Sequence, residues 1–168
     1  MIAYLLRGFT TIFGKNVFAL KLADSIVTWL SVWAFYTFAK RFLSRQKAGR
    51  GLILLLSTFM ITILSLVSTP DVPLILCWTV TLLFLQKAVF DSRKIYWILA
   101  GMMTGLCFDS KYTAVFLIIG LTGFLLISDQ YRKYLFSRWF LAYLFCGAVL
   151  ILPVVVWNVP NGFWSFKA

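Results

Sequence analysis

Five polar side chains in a mostly apolar chain have the types and placement to do chemistry: Asp71, Asp109, Lys111, Tyr112 and Asn158. Asp71 lies in the turn Ser68-Thr69-Pro70-Asp71-Val72-Pro73. A carboxylate there can take a proton, ligate a divalent metal or hold sugar hydroxyls, and it can equally cap the helix that follows. Asp109-Ser110-Lys111 interrupts the stretch from Ile95 to Ser128, which is otherwise almost wholly apolar. An acid and a base are costly in hydrocarbon, so such groups face a protein cavity or the water boundary and commonly act on a substrate or ion. Lys111 presents a compact cation suited to a phosphate, and Asp109 can orient it or bind a polar acceptor. The structural alternative is a lysine that snorkels to the interface while Asp109 caps the next helix. Asn158 and Asn161 follow the last apolar run. Tyr112, Trp157, Phe163, Trp164 and Phe166 fall where an aromatic belt meets the membrane surface. Asp24, one turn from Lys21, reads as half of a structural pair.

The elements that must position these residues follow from composition. Of 168 residues, 62% are hydrophobic and 18% aromatic, which excludes an ordinary soluble domain and makes the chain an integral membrane protein. Lys and Arg outnumber Asp 16 to 5, with no Glu and no His, for a net charge of +11. Such a balance can signal nucleic acid, but here the positive residues fall in short loops between apolar runs, as the positive-inside rule expects. Cys77, Cys107 and Cys146 stand singly inside apolar runs and read as small buried hydrophobes. No metal site is assigned beyond what the Asp71 carboxylate can offer a divalent ion, and no cofactor is assigned. No basic region, short apolar core and small-residue cleavage site occur at the start, so a cleaved signal peptide is not expected.

The expected fold is all-α: one membrane-embedded domain over 1–168, a polytopic bundle of about six transmembrane helices preceded by a short interfacial helix. The interfacial helix covers about 1–13, with Met1, Ile2, Leu5, Leu6, Phe9, Ile12 and Phe13 on one face. The spans are expected at about 17–39, 52–67, 72–90, 95–108, 112–127 and 139–157, with two prolines, Pro70 and Pro73, separating the second from the third. Basic loops carry Lys40, Arg41, Arg45, Lys47 and Arg50, then Arg93 and Lys94, then Arg132, Lys133 and Arg138. Placing all of them inside puts both termini outside. Asp71, Lys111 and Asn158 then converge on the outer face. The arms around Asp109-Ser110-Lys111 have about 14 and 16 residues, or roughly 21 and 24 Å against about 30 Å of hydrocarbon, so the break lies below the outer surface. Gly101-x-x-x-Gly105 reads as a place of close helix packing.

Five segments in order carry a resemblance. They are Met1-Ile-Ala-Tyr-Leu-Leu-Arg7, Phe18-Ala-Leu-Lys-Leu22, Thr69-Pro-Asp-Val-Pro-Leu74, Gly105-Leu-Cys-Phe-Asp-Ser-Lys-Tyr-Thr113, and Pro153-Val-Val-Val-Trp-Asn158 with Asn161-Gly162. Together they resemble the dolichyl-phosphate-mannose protein mannosyltransferase and aminoarabinose transferase superfamily, the C-type glycosyltransferases of family 39 type, over nearly the whole chain. The resemblance implies a partial C-type fold in a multi-pass cell-membrane enzyme of the bacterial inner membrane. It implies a sugar moved with inversion from a polyprenyl-phosphate-linked donor to a protein or glycolipid acceptor on the outer face. Asp71 then matches the second acidic position of the family site and acts in catalysis. Lys111 matches the Ser-Lys or Thr-Lys position facing the lipid phosphate, and Asp109, Tyr112 and Asn158 border the substrate. The family usually carries an earlier helix and an outer loop with the principal catalytic acid, then a segment like Met1 to Arg7. The resemblance therefore implies a fragment that lacks this acid and is inactive by itself. Two other classes stay open from the residues alone. One is a small transporter or channel using Asp109 and Lys111 as an ion site. The other is a non-enzymatic membrane subunit.

Overall fold

A computed structural model describes residues 2–14, 16–58 and 69–158. Among the described residues the chain forms seven α-helices and no strand: α1 (Ile2–Phe13), α2 (Val17–Phe42), α3 (Arg45–Ser57), α4 (Asp71–Val89), α5 (Ile95–Ser110), α6 (Val115–Ile127) and α7 (Arg138–Asn158). Short 3₁₀ turns, Tyr112–Ala114 and Arg132–Tyr134, precede α6 and α7.

Two helices, α2 and α4, are long and apolar enough to cross a membrane by length and composition. Three shorter apolar segments accompany them, Ile95–Ser110, Tyr112–Ile127 and Arg138–Val154. The expected bundle is thus matched in its helical class, while among the described residues two helices meet the combined length and composition for a membrane span. The expected second span at about 52–67 runs into residues 59–68, which lie outside the described residues. Its described part begins earlier than expected: α3 starts at Arg45, inside the basic segment.

Side-chain distribution in α2 is inverted relative to a water-soluble helix. It buries small and polar residues, Ala19, Ala23, Asp24, Ser31 and Ala34 among them, while Trp29 and Trp33 stand 66% and 58% exposed. Large apolar groups outside and small groups inside suit helices that pack through close backbone approach in an apolar surrounding.

The tightest packing lies between α5 and α7. A Cβ built on Gly101 would stand 2.3 Å from the Tyr143 carbonyl oxygen, and one on Gly105 would stand 2.7 Å from Leu150 Cβ. Gly147 of α7 faces back toward the Gly101 carbonyl. The expected role of the glycine pair is therefore met, with α7 as its partner. Just beside this crossing, the buried Thr104 hydroxyl lies 2.8 Å from the Ala100 carbonyl oxygen, to which it donates, and 3.1 Å from the Tyr143 hydroxyl. Both polar groups are satisfied within the apolar interface, as burial requires.

The bundle has a basic end and an Asp71 end. At the basic end an Arg41–Asp91 ion pair ties the α2–α3 corner to the α4–α5 loop, and the Ser92 hydroxyl lies 2.9 Å from the Tyr134 hydroxyl of the α6–α7 connection. At the opposite end α2 and α4 begin and α5 ends, so Asp71 and Lys111 share it.

Candidate functional site

The site is built where α4 begins and α5 stops. Pro70 occupies the cap position and Pro73 the first turn, where a missing N–H costs nothing, so α4 starts at Asp71. The Asp71 carboxylate accepts from the Lys111 ammonium at 2.8 Å. The reading of Asp71 as a helix cap is corrected accordingly, since the proline before it holds that position. A carboxylate in the first turn is also favoured by the helix dipole.

Lys111 owes its place to two contacts one turn deeper. The Cys107 thiol of α5 lies 3.7 Å from the Leu74 carbonyl of α4, and Cys77, Cys107, Ala114 and Leu117 form one buried cluster. With α5 held against α4 there, the chain leaves the helix: Lys111 is extended at φ −158°, its N–H donates to the Cys107 carbonyl at 3.1 Å, and a 3₁₀ turn follows. The break is thus narrower than expected. Asp109 and Ser110 belong to the last turn of α5, and Lys111 alone leaves the regular backbone.

The other expected residues fall around this pair. Tyr112 is half-buried and sets its ring edgewise on Phe108, centroids 5.7 Å apart. Asp109 is half-buried, and the carboxylate that meets Lys111 is that of Asp71. Asn158 is the final residue of α7, and its side chain lies outside the described residues, as do Asn161, Phe163, Trp164 and Phe166.

Two residues beyond that set belong to this end. Asp24 is 2% exposed, whereas Lys21 is exposed, so the two lie in different surroundings. Val27, one turn along α2, packs on Val72 of α4, which places Asp24 at the level where α4 begins. Thr69, two positions before Asp71, has a buried hydroxyl oxygen with no hydrogen-bond partner among the described residues. The sequence signal for Asp24 was its place on the small-residue face with Ala19, Ala23 and Ser31; Thr69 carried none beyond the turn.

The donor set does not fit a divalent metal. Among the described residues no three carboxylates, cysteines or histidines gather, and the Asp71 carboxylate is engaged by an ammonium whose charge disfavours a second cation.

The side-chain exposures of Lys111 and Asp71, 48% and 30%, leave the pair open at the end of the bundle. An exposed pair of this kind stabilises by only about 0–1 kcal/mol, so a stronger anion can draw the lysine away. What the arrangement can do chemically is therefore to offer a cation to a phosphate and release a carboxylate to a hydroxyl.

These features define a membrane-associated helical protein with an acid–base pair at one end of its bundle. The chain belongs to the dolichyl-phosphate-mannose-protein mannosyltransferase family, which it matches over residues 1–157. A membrane glycosyltransferase-like function follows in general terms. No curated protein and no solved structure matches it.

Proposed function

We propose that the chain is the membrane core of a glycosyltransferase that takes a sugar from a polyprenyl-phosphate-linked donor and transfers it to a protein or glycolipid acceptor. The observation that carries this reading is the Asp71–Lys111 contact in a chain of this family. In the proposed step the bond between the sugar's anomeric carbon and the phosphate oxygen breaks as the acceptor oxygen bonds that carbon from the opposite side. The acceptor proton passes to the Asp71 carboxylate, and the phosphate leaves with its lipid, its charge met by Lys111. These are the general-base and electrostatic terms such a transfer calls for. Asp109, Tyr112 and Asn158 border the substrate in this reading. The helices form about six spans in the cell membrane of a bacterium, the basic loops inside and both termini outside. A groove of about 420 Å³ between α2, α4 and α6, with Trp78, Leu82 and Phe116 in its wall, supports the reading. It starts just past the 3₁₀ turn that follows Lys111 and gives a hydrocarbon tail an apolar bed.

The test is sugar transfer from a radiolabelled polyprenyl-phosphate donor in vesicles reconstituted with a full-length version that also carries the outer acidic loop usual in the family. Losing a general base lowers transfer by about 10²–10⁴-fold, the loss expected for Asp71→Asn. Losing a charge-stabilising group lowers it by about 10²–10³-fold, the loss expected for Lys111→Gln. Transfer at the unsubstituted rate in both variants would remove these residues from the site.

A further inference from the structure

The basic end of the bundle carries a second feature, independent of the Asp71 end. Ten basic side chains lie in the segments that form it, Lys40 to Arg50, Arg93, Lys94, and Arg132 to Arg138, against two carboxylates, Asp91 and Asp129. Both carboxylates face arginines: Asp91 meets Arg41, and Asp129 lies 3.6 Å from Arg132. Arg132 also donates to the Leu126 carbonyl at 2.8 Å, which closes the end of α6. Arg93, Lys94, Lys133 and Arg138 are exposed, and none of them meets a carboxylate among the described residues.

The fold gathers these four. The Ser92–Tyr134 hydrogen bond joins the α4–α5 loop to the α6–α7 connection, and Trp97 of α5 packs on the Tyr134 ring at 5.8 Å between centroids. The Lys94 ammonium lies 5.7 Å from the centre of the Trp139 ring, and that of Lys133 lies 5.5 Å from the centre of Tyr134. Cation–π contacts of this kind hold a flexible lysine in place without consuming its hydrogen-bond donors. The positive ends of α5 and α7 open onto the same surface and add to its potential. Tyr and Trp beside Lys and Arg are the composition expected at headgroup level.

We propose that this surface between the starts of α5 and α7 binds the phosphate headgroup of an anionic glycerophospholipid, held by Lys94, Lys133 and Arg138 with Trp139 and Tyr134 against its glycerol and upper acyl region. The partner is a lipid because the cations are interleaved with half-buried aromatic rings at the edge of an apolar bundle. A soluble phosphate would use the cations and leave the rings idle. Basic surfaces of this kind between membrane helices suit anionic headgroups.

The full chain in mild detergent is titrated with an equimolar mixture of phosphatidylglycerol and phosphatidylcholine, and retained lipid is counted by native mass spectrometry. The unsubstituted chain is expected to keep phosphatidylglycerol preferentially. Each basic group near an anionic headgroup is worth about fivefold, so Lys94→Gln with Arg138→Gln is expected to lower that preference about 25-fold. Lys94→Arg preserves the preference, and so does Lys21→Gln at the far end of the bundle, which separates local charge from general loss of fold. Equal retention of the two lipids, an undiminished preference in the double variant, or full displacement by soluble glycerol phosphate would overturn the proposal. Because the readout is lipid retention, its failure leaves the transferase reading untouched, and failure of sugar transfer leaves this site untouched.

Discussion

The α5–α7 crossing makes a prediction whose sign reverses between two identical substitutions. At Gly101 an added methyl would stand 2.3 Å from the Tyr143 carbonyl oxygen, where ordinary contact needs at least 3.4 Å. The obstacle is backbone of the neighbouring helix, so the two helices must separate, and the Thr104–Tyr143 hydrogen bond beside them is stretched as they do. Overpacking of this kind costs about 1–3 kcal/mol, and a clash with rigid backbone belongs at the upper end. At Gly123 in α6 nothing lies within 4 Å of the same methyl. There Gly→Ala removes the conformational cost of glycine in a helix, worth about 1 kcal/mol. Thermal unfolding of the purified chain in detergent, at roughly 2–4 °C per kcal/mol, should show Gly101→Ala falling by about 6–12 °C and Gly123→Ala rising by about 2–4 °C. Equal shifts of the same sign would refute the idea that close backbone approach, rather than apolarity alone, holds α5 on α7.

Three further predictions concern the loops and the buried thiols. Ser92 has φ +53°, a left-handed conformation that a β-branched residue adopts poorly, so Ser92→Val should cost about 1–2 kcal/mol in the same assay while Ser92→Gly is tolerated; equal stability of the two would argue against strain at this turn. The Arg41 and Asp91 side chains are 50% and 32% exposed, so a double-mutant cycle should give a coupling of no more than about 1 kcal/mol that fades in high salt; a larger coupling that persisted in salt would contradict this exposure. Cys77 and Cys107 are 3% and 0% exposed while Cys146 is half-buried, so a small maleimide should label Cys146 first in the folded protein; prompt labelling of Cys107 would contradict its packing on Leu74.

Helix positions were legible in the sequence because apolar runs and the Pro70–Pro73 pair mark them directly. α1 (Ile2–Phe13) and α4 (Asp71–Val89) lie within a residue of expectation. The start of α3 is not legible, because the polarity of Arg45, Gln46, Lys47 and Ala48 matches that of a loop. Polarity decides where a segment sits relative to lipid, whereas all four are good helix formers. The break is narrower than the polar triplet because polarity alone does not end a helix: Asp109 and Ser110 stay in the last turn of α5, although an acid there opposes the dipole. That Asp71 and Lys111 share one end followed from counting turns of chain. Their direct contact did not, because it depends on Cys107 meeting the Leu74 carbonyl, a packing detail with no local signature. Asp24 is buried at the level where Val27 packs on Val72, a placement that its spacing from Lys21 does not reveal.

In the proposed site Lys111 receives the lipid phosphate and Asp71 is its resting partner. Equilibrium binding of polyprenyl phosphate, with the unphosphorylated prenol as control, tests this through the sign of two substitutions. Lys111→Gln removes the cation and should weaken binding about tenfold, the loss of a hydrogen bond to a charged group. Asp71→Asn removes the competing carboxylate and should tighten binding by up to about fivefold, the worth of a part-exposed ion pair. Weakening by both substitutions, or by neither, would contradict the claim that the phosphate takes Lys111 from Asp71.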